Sequence, residues 1–169
     1  MNTAAGTVRA QGGATASSVS LPAVVRRVLN DLAVLTAQRR AFIEVCRTAE
    51  DPLVRGSEQA VQQIVHHLLK NALEASPSGG LVRVAQHEHD AQVILEITDE
   101  GSGIHAGDFS RIFKRGFTTK ANSKGQGLAE VEWRLAELRG AISWESPLRS
   151  GRGACFTVTL PSAGPPLSP

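Results

Sequence analysis

A chain of 169 residues with 18 basic and 16 acidic side chains and a hydrophobic fraction of 41% can bury a core and lacks the charge excess of a disordered chain, so one globular domain with short tails is expected. The formal charge of +2 is spread along the sequence, which argues against a dedicated nucleic-acid binder, because counterion release needs a concentrated basic face. No apolar run reaches the roughly 20 residues that cross a bilayer and no signal-peptide pattern opens the chain, so a cytoplasmic protein without membrane contact is expected.

Residues 1–19 are mostly small or polar and are expected to be a disordered leader or a remnant of a longer chain. Ser20 can cap a helix in which Leu21, Val24, Val25, Val28, Leu29, Leu32 and Leu35 recur at three- and four-residue intervals, with Pro22 tolerated in the first turn. An alternating run over 41–47 reads as a strand ended by Asp51-Pro52. Residues 57–76 form a second amphipathic helix, stopped by Pro77-Ser78-Gly79-Gly80. Residues 81–88 and 92–99 pattern as an antiparallel hairpin. A Gly-, Ser-, Thr- and Lys-rich stretch, 100–127, follows, and a loop of that length inside a compact domain is usually either functional or a sign of a misassigned element. A helix over 128–139 ends at Gly140, strands at 141–145 and 154–160 complete the sheet, and 162–169, with three prolines, form a disordered tail. Residues 20–161 are then an α/β (α+β) two-layer sandwich: a mixed, mostly antiparallel sheet of about five strands, covered on one face by three helices. Cys46 and Cys155 fall in apolar, strand-like runs and are expected as buried thiols in a reducing compartment. Neither has a Cys or His at zinc-ligand spacing.

Asn71 lies beside Ile64 at the border of the second helix's apolar stripe, an unusual place for an amide. Asp99 ends an apolar strand and is followed by a turn carrying Gly101 and Gly103, which permits close backbone approach to a planar ligand. The basic, hydroxyl-bearing segment 112–120 suits an anion, with Phe113 and Phe117 as apolar anchors. Gly125-Gln126-Gly127 opens a helix whose bare amides can meet phosphate. Each feature alone has a plain counterpart: a helix asparagine bonded to a neighbouring turn, an aspartate closing its own turn, a solvated basic loop.

In order and at this spacing, the four segments resemble the motifs of the Bergerat-fold ATP-binding domains of gyrase, Hsp90, histidine kinases and MutL, and most closely the catalytic domain of two-component sensor histidine kinases. The asparagine box is similar to 63–72, the first glycine box to 99–103, the phenylalanine box to 113–120 and the second glycine box to 125–128. The resemblance implies that Mg²⁺ takes a side-chain oxygen from Asn71 and its other ligands from ATP phosphates and water. It implies that Asp99 accepts a hydrogen bond from the adenine amino group, and that Gly101, Gly103 and Ile104 lie along the base. Thr118, Thr119 and Lys120 would contact phosphates, and Gly125, Gly127 and Leu128 would let a long ATP lid fold over them.

His67 stands one helical turn before Asn71, where the ATP-hydrolysing members carry a glutamate. A neutral imidazole can be a general base there or a polar neighbour of the site. Residues 1–19 contain no histidine, so the resemblance implies a phospho-acceptor histidine on a separate dimerisation domain or protein, with a response regulator downstream, and a chain that is monomeric by itself. A serine/threonine kinase of the anti-sigma-factor type and a degenerate, non-catalytic nucleotide-binding module are the alternatives. His66 and Glu74 receive no role.

Overall fold

A computed structural model describes residues 17–47, 51–119, 124–148 and 151–164. In chain order the elements are β1 (Ser18–Ser20), α1 (Leu21–Asp31), α2 (Ala33–Arg39), β2 (Phe42–Arg47), β3 (Leu53–Arg55), α3 (Glu58–Ala75), β4 (Leu81–His89), β5 (Gln92–Asp99), α4 (Gly127–Leu138), β6 (Ala141–Glu145) and β7 (Ala154–Pro161). Five strands form one sheet in the order β2-β4-β5-β7-β6. β2 runs parallel to β4 and every other pairing is antiparallel, so the expected mixed, mostly antiparallel sandwich is the fold.

Alternation along the central strands sends Val82, Val84, Val93, Leu95, Ile97, Phe156, Val158 and Leu160 into one buried face. Helices α1, α3 and α4 cover it. α3 contributes most, burying Val61, Ile64, Val65, Leu68, Leu69 and Leu73 from one stripe. Its start is fixed by Ser57, whose hydroxyl accepts from Ala60 N–H. The hairpin turns on Asp90 and Ala91, both left-handed at φ 50° and 59°, the geometry a two-residue connection between twisted strands requires.

Three expectations are corrected. The first helix is two segments: it breaks at Leu32, whose carbonyl accepts from both the backbone N–H and the hydroxyl of Thr36, and such threonine back-bonding bends helices. The sheet's cover is still α1, α3 and α4, and the added segment α2 buries none of its residues. The folded part also extends past 20–161 at both ends. Ser18–Ser20 pairs antiparallel with Leu53–Arg55 as a separate two-stranded sheet, and Ser162 is buried, bridging Val54 and donating its hydroxyl to Glu88. Cys46 is exposed and Cys155 only partly buried, both as free thiols. Cys46 sits on β2, the edge of the sheet, on the face that carries no helix, as its pairing opposite Ala85 shows. No helix among the described residues is long and apolar enough to cross a membrane.

Candidate functional site

Asp99 ends β5 only 4% exposed, with its Oδ1 accepting from Gly101 N–H at 2.8 Å. A Cβ on Gly101 would lie 2.7 Å from the Ala75 carbonyl oxygen and 2.8 Å from Asp99 Oδ1. Only glycine therefore lets the chain turn tightly against the end of α3. Gly103 is left-handed (φ 77°), and a Cβ there would meet Ser146 Oγ at 2.8 Å and Gly153 O at 3.0 Å.

The segment between β6 and β7 braces this turn from behind. Ser146 Oγ accepts from Ile104 N–H at 2.7 Å and donates to Gly153 O at 3.0 Å. Gly153 N–H donates to Gly101 O at 2.8 Å. Ser146 and Gly153 were not singled out in the sequence; the one local signal was Gly151-Arg152-Gly153 just before a strand.

Asn71 and His67 lie one turn apart on α3, facing the start of α4. The position a Cβ of Gly127 would take is 3.4 Å from His67 Nδ1 and 4.0 Å from Asn71 Nδ2. A larger residue at the first position of α4 would fill the space between the helix N-terminus and these two side chains. Gln126 precedes α4 and makes no side-chain cap bond to it.

His67 is held below the ordinary histidine pKa chiefly by burial, then by repulsion from His66 and Lys70, with Glu130 of α4 opposing. Its ring is therefore neutral at physiological pH. Glu74 pairs with Lys70 one turn earlier at 3.8 Å, and His66 stacks edge-on against His67.

Between β5 and α4 the described residues of the long connecting segment, 100–119 and 124–126, are anchored to the body of the domain. Ile112 is buried, Phe113 packs on Trp144 with ring centroids 5.2 Å apart, and the Arg111 guanidinium lies over Phe117 while pairing with Asp108 at 2.8 Å. Gly116 N–H donates to Gly125 O at 2.8 Å, and a Cβ on Gly125 would come within 2.5 Å of the Gly116 backbone.

Together these elements enclose a cleft of about 330 Å³, within the range of small-ligand sites. Of the residues singled out in the sequence, Asn71, Asp99, Gly103, Ile104, Thr118, Thr119, Gly125, Gly127 and Leu128 line it. Gly101 shapes the wall without lining it, His67 stands behind Gly127, and Lys120 lies outside the described residues. The lining also includes Ile112, Phe117, Ala154 and Phe156, which give the cleft apolar walls. A buried carboxylate at one end, an amide and a helix N-terminus at the other and apolar walls between them suit a flat base joined to an anion.

Residues 56–164 match the family described as histidine kinase-, DNA gyrase B-, and HSP90-like ATPases. The sensor histidine kinase ZraS of Escherichia coli (strain K12) is 35% identical over 121 residues, 70% of this chain and 26% of ZraS. The sensor-like histidine kinase SenX3 of Mycobacterium bovis is 35% identical over 134 residues, 75% of this chain and 32% of SenX3. The chain thus spans about a quarter to a third of the length of these relatives. The solved structure of the mycobacterial sensor histidine kinase MprB superposes with a TM-score of 0.76 at 28% identity, over 88% of this chain and 98% of that one. The chain belongs to the histidine kinase-, DNA gyrase B- and HSP90-like ATPase family and carries an ATP-binding catalytic domain of the histidine-kinase type.

Proposed function

We propose that this domain binds Mg-ATP in the cleft between α3, the end of β5 and the segment leading into α4, and transfers the γ-phosphate to a histidine on a dimerisation domain or separate acceptor protein, with a response regulator as the next acceptor. The observation that carries this is that Asn71 and Asp99, supplied by different elements, line one cleft with Gly103, Gly125 and Gly127.

Asp99 reads the adenine. Its Oδ1 already accepts from Gly101, so the carboxylate is fixed in place, and a purine presenting a carbonyl there would set acceptor against acceptor. Gly101, Gly103 and Ile104 lie along the base, Thr118, Thr119 and Lys120 contact phosphates, and Gly125, Gly127 and Leu128 bring the amides of α4 to them.

The site fits a divalent cation bound mainly through its nucleotide. Among the described residues no group of three or more His, Cys, Asp or Glu is arranged to hold a metal, and Mg²⁺ readily keeps waters and phosphate oxygens as ligands. Asn71 supplies the protein's oxygen, and the ion neutralises charge on the phosphates. His67, neutral and one turn from Asn71, can take a proton at the phosphate end. Positioning and charge compensation are otherwise what this reaction asks of the protein.

The test mixes the chain with γ-labelled ATP and a histidine-bearing helical hairpin domain. The expected product is acid-labile label on the hairpin, lost with Asn71→Ala. Acid-stable label would indicate a serine or threonine acceptor, and no thermal shift with Mg-ATP would indicate a module that binds no nucleotide.

A further inference from the structure

β2 forms one edge of the sheet. Phe42 N–H donates inward to Gly80 O, so alternation turns the backbone N–H and C=O groups of Ile43, Val45 and Arg47 outward. None of these finds a partner among the described residues. On the helix side, Ile43 continues into a shallow groove with Leu29, Ala33, Thr36 and Ala37. α2 buries none of its residues, and Val45 of β2 is 45% exposed. Natural sheet edges are normally covered, bulged or charged at their centre; here the one central charge, Glu44, lies on the helix-free face and is paired with Arg83, while the helix face is apolar at Ile43 and Val45 and basic at its ends. Arg39 and Arg40 precede β2 and Arg47 closes it, and none of the three has an ion pair among the described residues.

We propose that the free edge of β2 and its groove bind an extended segment of a partner protein, apolar at alternate positions and acidic at both ends, which adds to the sheet as a further strand. Backbone pairing to Ile43, Val45 and Arg47 supplies the register, and the groove takes the side chains on the helix face. Carboxylates spaced by the roughly 20 Å that separates the ends of such a run meet arginines at both ends. Charge also disfavours a second copy of this chain as the occupant. Two β2 edges brought together antiparallel, helix faces on the same side, oppose residues of equal parity. Centring the pair on Glu44 opposes two carboxylates, centring on Val45 puts Ile43 against Arg47, and centring on Cys46 puts Val45 against Arg47. Every such register also brings two sets of unpaired arginines toward each other.

The probe is a synthetic peptide of about nine residues, alternating valine and threonine with glutamates at each end, titrated into the isotope-labelled full chain. Amide exchange at Ile43, Val45 and Arg47 slows at least about tenfold at saturation. Methylating alternate backbone nitrogens of the peptide abolishes the protection, and the double variant Arg40→Glu, Arg47→Glu weakens binding about tenfold and shifts preference to a lysine-ended peptide. Protection elsewhere on the chain, or binding indifferent to N-methylation, overturns the proposal. So does protection of the same amides by raising the protein concentration without peptide, which would make the edge a self-association surface.

Discussion

At the β5 end of the cleft each turn is locked against a second segment, whereas at the α4 end the chain closes through glycine-to-glycine contact between Gly116 and Gly125. Around Asp99, the backbone of 99–104 is tied to Ser146 and Gly153 by bonds of 2.7 and 2.8 Å, and these two residues are tied to each other at 3.0 Å. The wall at the β5 end is thus held by a second segment, and the wall at the α4 end by contact within its own segment.

Replacing a glycine at each end is the strongest way to break the comparison. Gly153 is left-handed (φ 81°), and a Cβ there would lie 2.3 Å from Asp99 O. Gly153→Ala is expected to cost on the order of 2 to 4 kcal/mol of stability by urea denaturation and to abolish nucleotide binding. Gly116 is also left-handed (φ 85°) but has nothing within 4 Å of its Cβ position, so Gly116→Ala costs only about 1 kcal/mol, the conformational penalty. Equal losses in the two variants would remove the distinction between a turn packed against a second segment and one that faces open space.

Asp99→Asn probes selectivity with the turn intact, because the asparagine oxygen can still accept from Gly101 N–H. Affinity for ATP is expected to fall about tenfold or more while GTP changes little, read by calorimetric titration of both nucleotides. A retained ATP preference would move base selection away from the β5 end.

Much of this wall could be read from the chain and some could not. Asp99, Gly101 and Gly103 fall within five residues and Asn71 is an amide on an apolar border, but each has a plain counterpart alone, and it was the resemblance across four ordered segments that marked them. The brace did not show, because Ser146 meets Ile104 across 42 residues and no periodicity encodes that contact. The strands Ser18–Ser20 and Leu53–Arg55, three residues each, are too short for alternation to rise above loop composition. Cys46 was placed inside because alternation identifies a strand without saying whether it has one neighbour or two. The break at Leu32 depended on one hydroxyl, that of Thr36, in a helix whose apolar spacing runs on unchanged.

Ser146→Ala tests the brace with a smaller effect. Losing Oγ leaves the partly buried Ile104 N–H without its acceptor, a cost of about 1 to 2 kcal/mol. Because Ser146 does not line the cleft, its effect on nucleotide is indirect: ATP affinity falls a few-fold, and Ser146→Thr, which retains a hydroxyl, restores part of it. Full ATP affinity in Ser146→Ala, despite the stability loss, would show that the brace serves the fold and not the site.

The smallest effect, and the one most particular to the α4 end, is pH dependence through His67. Burial disfavours its charged form, so its folded-state pKa lies below the ordinary value of 6.5. Above that value neither folded nor unfolded chain carries the proton, and His67 contributes no pH slope. As pH falls through 6.5 the unfolded chain takes up the proton before the folded one, so stability declines, levelling once pH is below the folded value. His67→Gln removes this component, seen as a shallower loss of Tm on acidification relative to the parent chain, with no change above neutrality. Glu130→Gln should steepen the loss, since the Glu130 carboxylate opposes the depression. A parent chain and His67→Gln variant with identical acid profiles would mean that the start of α4 leaves the ring as wet in the folded protein as in the unfolded one.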